Sequence, residues 1–141
     1  MTVERLAPPV TPGSAPFWDA TVRRQFLLPW CRECERAFWF PREACPGCLG
    51  EQIDWRPASG RGRVYAVSVT SQPAYPGLKE AVPYAVGLID LDEDVRMMAG
   101  LISAEPDQIA VGDPVTLAWE ALPDGRNLPM FECAVGGVRA S

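Results

Sequence analysis

The chain contains no histidine, and Lys79 is the only lysine among its thirteen basic residues. Without histidine, a cysteine nucleophile paired with a histidine base is excluded. No other arrangement of nucleophile and base stands out in the sequence. We therefore expect the chain to carry no catalytic residue of its own.

Long apolar runs and a secretory signal are also missing. No apolar stretch approaches the ~18 residues of a membrane span. The N-terminal segment, MTVERLAPPVTPGSAP, lacks the basic start and apolar stretch of a signal peptide. We expect no membrane association and a soluble, cytoplasmic protein, in a compartment where cysteines stay reduced and disulfides are rare.

Positive charge is scarce in the second part of the chain. Residues 1–56 hold seven basic and seven acidic residues, which cancel, whereas residues 57–141 hold six basic against eleven acidic ones, giving the net charge of −5. Proteins that bind single-stranded nucleic acid use a positive groove. The charge distribution therefore argues against a nucleic-acid partner.

Four of the five cysteines lie in one stretch, CRECERAFWFPREACPGC, with the spacing Cys-x2-Cys, ten residues, Cys-x2-Cys. Two residues between cysteines let both thiolates bind one metal from a tight turn, here called a knuckle. Two knuckles complete the four-thiolate set that Zn²⁺ prefers in structural sites. Gly47 is expected to supply backbone freedom in the second knuckle. The predicted metal ligands are Cys31, Cys34, Cys45 and Cys48.

Zinc is the preferred ion, although rubredoxin-type iron uses the same four ligands. A dithiol redox centre and inert cysteines are the other interpretations. Four thiolates leave no coordination position for a substrate, which argues against catalysis at this metal. Because a segment of roughly 25 residues is too small to fold by hydrophobic burial alone, metal binding would supply its folding energy.

The fifth cysteine lies apart, in the segment FECAV. There Cys133 alternates with Phe131 and Val135, as residues on one face of a strand do. This alternation favours packing in the core, and a reactive thiol is the alternative.

The remaining pattern predicts a mostly β protein with one short helix at its N-terminal end. The helix spans residues 14–25, with Ser14 as a candidate cap and Pro16 in the first turn. A strand at 26–30 leads into the first knuckle, residues 37–40 form the arm between the knuckles, and residues 52–55 lead out of the second. Five further strands are predicted at residues 63–72, 84–91, 95–103, 114–122 and 128–135, with a helical turn within 105–113. This series fits the OB-fold, a small five-stranded barrel.

These patterns divide the chain into four parts. They are a flexible N-terminus (1–13), the helix with the zinc ribbon (14–56), the OB-fold (57–136) and a tail (137–141). Loops 71–83 and 120–129 correspond to those that usually flank the ligand face of an OB-fold. Ordinary surface connections stiffened by proline are the alternative interpretation.

The order of helix, four-cysteine ribbon and barrel resembles one family closely. The resemblance covers roughly residues 15–134 and rests on PFWDA, the two knuckles, SGRGRVY and PYAVGLIDL. These motifs are similar to the Domain of Unknown Function 35 group. That group comprises acyl-CoA-associated proteins with an N-terminal rubredoxin-like zinc ribbon and an OB-fold. The four cysteines match all the metal-ligand positions of the family. The family has no catalytic residue that could be assigned to a position of this chain.

The resemblance implies a non-catalytic accessory subunit of a heteromeric acyl-CoA enzyme. Members are small partners of thiolase-like chains, including sterol-carrier-type aldolases, and the thiolase-like chain carries the catalytic residues. The expected complex is a heterotetramer that makes or cleaves carbon–carbon bonds of CoA thioesters, for example in sterol side-chain or aromatic breakdown. The small subunit would stabilise its partner and shape the acyl-CoA site. The acyl-CoA itself and the direction of the reaction stay open.

Two sets of residues are candidates for these contacts. Arg61 and Arg63 form a tight basic pair that could bind a CoA thioester between the two chains, and solubilising charges at a strand edge are the alternative. Obligate interfaces are unusually apolar, so aromatic residues are expected at the partner surface, with core packing as the alternative for each. These aromatic residues are Phe17, Trp18, Trp30, Phe38 and Trp39.

A nucleic-acid-binding module is the alternative function of the whole chain. Zinc ribbons and OB-folds both often serve that purpose. The acidic barrel half is the feature that disfavours it.

Overall fold

The computed structural model describes residues 5–133 of the chain. The predicted tail at 137–141, and the predicted ends of the last strand and of the OB-fold at 135 and 136, lie outside these residues. Single 3-10 turns occur at Pro76–Leu78 and Pro106–Gln108. The helix and strands are α1 (Ala15–Val22), β1 (Leu27–Cys31), β2 (Arg36–Ala37), β3 (Ile53–Pro57), β4 (Arg61–Thr70), β5 (Tyr84–Leu91), β6 (Arg96–Ile102), β7 (Pro114–Ala121) and β8 (Asn127–Cys133).

The first three strands form a small antiparallel sheet in the order β2-β1-β3. Strand β1 lies in the centre, with Trp30 opposite Ala37 on one side and Asp54 on the other. Because β1 ends at Cys31, this sheet carries the chain directly into the first knuckle.

The other five strands close into a barrel in the order β4-β5-β6-β8-β7. Strand β4 pairs antiparallel with β7 to complete the ring, and β6 pairs parallel with β8. The predicted fold class is therefore confirmed: the chain is mostly β, with one short helix before a four-cysteine ribbon and a five-stranded OB-fold.

Helix α1 is shorter than predicted, because a backbone reversal ends it at Val22 rather than at residue 25. The amide of Gln25 donates to the carbonyl of Ala20, and the amide of Arg24 donates to that of Thr21. Arg24 has a positive φ of 55°. This pair of bonds is the Schellman motif that commonly terminates helices.

Ser14 occupies the predicted N-cap position, but its hydroxyl does not cap the helix. Pro16 has no amide to offer in the first turn. The Ser14 hydroxyl instead accepts hydrogen bonds from the amide and hydroxyl of Thr11, at 3.0 Å each. These bonds fix the turn that precedes the helix.

Strand β4 does not keep the alternation that the sequence suggests. Val64 pairs with Ile89 and Ala66 pairs with Leu88, so a β-bulge leaves Tyr65 without a partner. The inward face passes from Val64 to Val67, one residue out of step with simple alternation, which is a usual consequence of a bulge. The bulge bends the strand where the barrel curves.

One continuous core joins the helix, the ribbon and the barrel. The ring of Phe26, just before β1, lies 6.2 Å from that of Phe17 in α1 and 6.3 Å from that of Phe131 in β8, centroid to centroid. All three side chains are buried. The boundary predicted near residue 57 therefore separates two sequence patterns that share one interior.

A buried polar contact fixes the end of α1 to the barrel. The side-chain amide of Asn127 donates to the carbonyl of Thr21 at 2.8 Å, and the Asn127 backbone amide donates to the Thr21 hydroxyl at 3.3 Å. Both residues are buried. Beside this contact, the Arg126 guanidinium donates to the carbonyl of Pro8 at 2.8 Å and lies over the Trp18 ring.

We predict that Asn127→Ala lowers the free energy of unfolding by about 0.5–1.5 kcal/mol, because the Thr21 carbonyl loses one of its two donors and keeps only the amide of Arg24. Urea unfolding followed by tryptophan fluorescence measures the change. The exposed Gln72→Ala serves as the control and should shift stability by less than about 0.5 kcal/mol. Equal stabilities of the two variants would show that this contact does not hold the helix.

Candidate metal centre

The structure brings together the four cysteines that the spacing selects. Their sulfur atoms all lie within 4.8 Å of one another. Cys31 and Cys48 are separated by 3.6 Å between sulfurs, and Cys34 and Cys45 by 3.8 Å. A tetrahedral zinc ion with Zn–S bonds of about 2.3 Å requires sulfurs about 3.8 Å apart. The donor set therefore fits a tetrahedral metal ion.

The two knuckles have the same backbone geometry. The amide of Glu35 donates to the carbonyl of Cys31, and the amide of Leu49 donates to that of Cys45, each at 2.8 Å. Glu35 and Leu49 both adopt left-handed conformations, with φ of 55° and 63°. Each turn thus reverses the chain immediately after its second cysteine.

The expected role of Gly47 is not observed. The left-handed residue of the second knuckle is Leu49, whereas Gly47 has no positive φ. A Cβ atom at Gly47 would lie 2.9 Å from the guanidinium of Arg36. Glycine at this position makes room for the arginine beside the metal site.

Backbone amides point at three of the sulfurs. The amide of Cys34 donates to Cys31 Sγ at 3.3 Å, that of Gly47 to Cys45 Sγ at 3.3 Å, and that of Gly50 to Cys48 Sγ at 3.4 Å. Such bonds favour the thiolate form that metal binding requires.

The surroundings shift the pKa values of two thiols of the cluster, Cys45 and Cys48, in opposite directions. Backbone amides of Cys48 and Gly47 lower the pKa of Cys45 to about 7. The Gly50 amide also lowers the pKa of Cys48, but the thiols of Cys34 and Cys31 outweigh it and raise that pKa to about 12. Four thiolates this close repel one another. A bound cation must therefore compensate their negative charge before all four thiols can lose their protons.

The candidate aromatic residues do not form one surface. Phe17 and Trp18 are buried in the core, and the half-buried Trp39 packs on Phe17 with ring centroids 5.1 Å apart. Phe38 is buried against Cys31 and Cys45. Trp30 lies on the ribbon sheet, where the guanidinium of Arg56 stacks 4.2 Å from its ring. Whether these residues contact a partner stays a prediction.

The basic pair expected at a CoA site lies on the outer face of β4. Arg61 approaches Asp92 at 3.7 Å, and Arg63 donates to the carbonyl of Gly112 at 3.0 Å. The cross-strand neighbour of Arg63 is Asp90, whose carboxylate pairs with a different arginine on β6. Both candidates are exposed, and CoA binding by them stays a prediction.

Cys133 is buried on the inner face of β8 beside Phe131. Burial raises the pKa of its thiol to about 11, with the nearby carboxylates of Asp113 and Glu132 acting in the same direction. The thiol is therefore protonated and unreactive at neutral pH. Core packing, the interpretation favoured by the sequence, is confirmed.

Sequence reasoning missed an apolar cleft of about 290 Å³ where α1, the ribbon and the barrel meet. Its walls include Phe17, Trp18, Phe40 and Met98. One signal was present in the sequence. In β6, residues 98, 100 and 102 occupy the outward positions of a strand, where polar residues are expected, yet none of them is polar.

In residues 5–133, the structure contains no helix long and apolar enough to cross a bilayer.

Two family models match consecutive parts of the chain. The rubredoxin-like zinc ribbon domain of ChsH2 matches residues 18–54, and the C-terminal OB-fold domain of ChsH2 matches residues 55–120. The zinc ribbon match and the sulfur geometry together identify the four cysteines as a metal-binding site.

Relatives and a solved structure extend this match. A chain of the solved Ltp2-ChsH2(DUF35) aldolase is 31% identical and superposes with a TM-score of 0.82, over 92% of this chain and 100% of that one. The probable enoyl-CoA hydratase alpha subunit of Thermomonospora curvata is 31% identical over 93% of this chain, which spans only 40% of that relative. Subunit BbsA of the benzoylsuccinyl-CoA thiolase of Thauera aromatica is 33% identical over 69% of this chain and 65% of its own length.

The two ChsH2 models together account for residues 18–120, and a solved DUF35 chain is matched along its whole length. The chain belongs to the DUF35 family of proteins that join a rubredoxin-like zinc ribbon to an OB-fold.

Proposed function

We propose that the chain is a non-catalytic accessory subunit of a heteromeric, thiolase-like enzyme that acts on CoA thioesters. The observation that carries this proposal is its match to the whole DUF35 chain of a solved aldolase. The relatives described above are likewise subunits, one of a probable enoyl-CoA hydratase and one of a benzoylsuccinyl-CoA thiolase. The expected assembly is a heterotetramer, with the thioester bound where the two chains meet.

The chemistry of the chain itself supports an accessory role. Four cysteines fill every position of a tetrahedral metal ion and leave none for a substrate. The chain has no histidine, and the remaining thiol, Cys133, is buried and protonated. The partner chain therefore supplies the residues that make or cleave the carbon–carbon bond, and this chain stabilises the partner and shapes its acyl-CoA site.

No structural observation favours the nucleic-acid alternative. The half of the chain that contains the barrel carries a net charge of −5. The tightest basic pair, Arg61 and Arg63, is engaged by Asp92 and by the Gly112 carbonyl. A groove that tracks a nucleic-acid backbone needs free positive charge.

We propose zinc as the bound ion. Cys31 and Cys34 would hold it from the first knuckle, and Cys45 and Cys48 from the second. A zinc ion with four thiolate ligands cross-links the chain without taking part in catalysis. We also propose a cytoplasmic location. Cysteines that bind a metal must stay reduced, and the cytoplasm keeps thiols reduced.

We predict that Cys31→Ser abolishes stoichiometric metal binding and unfolds the ribbon, because a structural zinc site supplies folding energy to small modules. Elemental analysis of the purified protein should give about one zinc per wild-type chain and far less for the variant. Cys133→Ala, which removes a thiol outside the cluster, is the matched control and should keep its metal. Full metal content and a native fold in Cys31→Ser would refute the assignment.

We predict that this chain co-purifies with the thiolase-like protein encoded nearest to its own gene. The complex, and not this chain alone, should turn over a CoA thioester, because the catalytic residues lie on the partner. Size-exclusion chromatography with light scattering and a thioester assay measure both outcomes. The partner alone is the control. A monodisperse monomer that leaves the partner's activity unchanged, or turnover by the lone chain, would contradict the proposal.

A further inference from the structure

The apolar cleft beside the ribbon is a feature that neither the metal site nor the barrel core accounts for. Four parts of the chain form its walls, and the first of them is the segment before α1, with Pro8 and Ser14. Helix α1 contributes Phe17 and Trp18, the arm between the knuckles contributes residues 39–41, and the barrel contributes residues 97–100 of β6 with 128 and 129 of β8. None of the described residues that line the cleft is charged.

Large apolar side chains stand exposed at the mouth of the cleft. Met98 is 67% exposed and Phe40 is 50% exposed. Ile102, which is also exposed, continues the outer face of β6 beyond Met98. Isolated apolar residues are common on protein surfaces, but a group of them around a cleft marks an interaction site.

The size of the cleft distinguishes between two kinds of occupant. Pockets for drug-sized ligands usually measure about 300–1,000 Å³. At about 290 Å³, this cleft falls just below that range. The cleft has room for one large apolar side chain of a protein partner but not for a whole acyl-CoA, whose phosphates would also need cations that this uncharged lining lacks.

The charges beside the cleft indicate which group of the partner should lie next to the inserted apolar side chain. Arg96 precedes Met98 on the same face of β6, but Asp90 neutralises it at 2.6 Å. Arg42 follows the lining residue Pro41 and is exposed. Within residues 5–133, Arg42 has no ion pair and no hydrogen bond. In a chain of net charge −5, an unpaired arginine beside an uncharged cleft is complementary to a carboxylate.

We propose that this cleft is the docking point for the thiolase-like partner, which inserts one large apolar side chain and pairs a neighbouring carboxylate with Arg42. The inference rests on the proposed function and adds the place of contact. An apolar anchor buried in a pocket is the usual centre of a protein interface. Of the aromatic residues predicted at the partner surface, Phe17, Trp18 and Trp39 then act by shaping the cleft.

The geometry also makes docking depend on the metal. Residues 39–41 lie on the arm between Cys34 and Cys45, so the two knuckles hold both ends of that wall. We therefore expect loss of the metal to release the arm and to weaken binding of the partner. Only the metal-loaded chain presents the complete docking point.

Lysine substitution tests the apolar contact. Met98→Lys places a charge at the mouth of the cleft, and Val111→Lys introduces the same charge at a position that is 68% exposed and is not part of the cleft lining. Titration calorimetry with the purified thiolase-like protein encoded nearest to the gene measures affinity. We expect Met98→Lys to raise the Kd at least about tenfold, as at a hot spot. Val111→Lys should stay within about twofold of wild type.

Charge reversal tests the carboxylate contact. Arg42→Glu should raise the Kd about tenfold and reduce the dependence of binding on salt, because an attractive pair becomes repulsive. Arg23→Glu makes the same change of charge at the other end of α1 and is the matched control. Zinc content and circular dichroism confirm that each variant is folded. Phe40→Ala replaces Met98→Lys if that variant does not fold.

The outcomes separate this inference from the proposed function. If the wild-type chain does not bind the partner, the proposed function fails. If the wild type binds and Met98→Lys, Arg42→Glu and Phe40→Ala bind as tightly as the controls, the docking point is wrong. Unchanged affinity for the partner with a raised KM for the CoA thioester would assign the cleft to substrate instead, and would also overturn the inference.

Discussion

The mutual repulsion of four clustered thiolates is the constraint on which the rest of this structure depends. Their sulfurs lie within 4.8 Å of one another, a separation that they tolerate as anions only around a shared cation. The sheet beside them has strands of five, two and five residues, too little to fold independently. The cation thus replaces a core that the ribbon is too small to build.

The influence of the cluster reaches the barrel through aromatic side chains. The arm between the knuckles carries Trp39, whose ring packs on Phe17 of the helix. Phe17 in turn contacts Phe26, and Phe26 contacts Phe131 inside the barrel. Ribbon, helix and barrel therefore stabilise one another. The family match over residues 18–120 includes both the ribbon and the barrel that share this interior.

The sequence was a good guide where local spacing determines the result. The Cys-x2-Cys pairs selected the metal ligands, and alternation located β5 and β7 within a residue. Sequence patterns failed where contacts between distant segments determine the local structure. The bulge at Tyr65 depends on how β4 meets β5, and the end of α1 depends on a left-handed Arg24. The cleft was missed because its walls come from several separate segments that only folding brings together.

The way the two sheets end has a consequence for contacts with the strands of other molecules. Within residues 5–133, two short seams close the ring of strands, residues 61–63 of β4 with β7 and residues 101–102 of β6 with β8. Open edges recruit strands of other molecules, and proteins protect them with short strands or proline. In the ribbon sheet, β2 has two residues and β3 ends at Pro57. These short edges of the ribbon sheet therefore give the strands of other molecules little backbone to pair with.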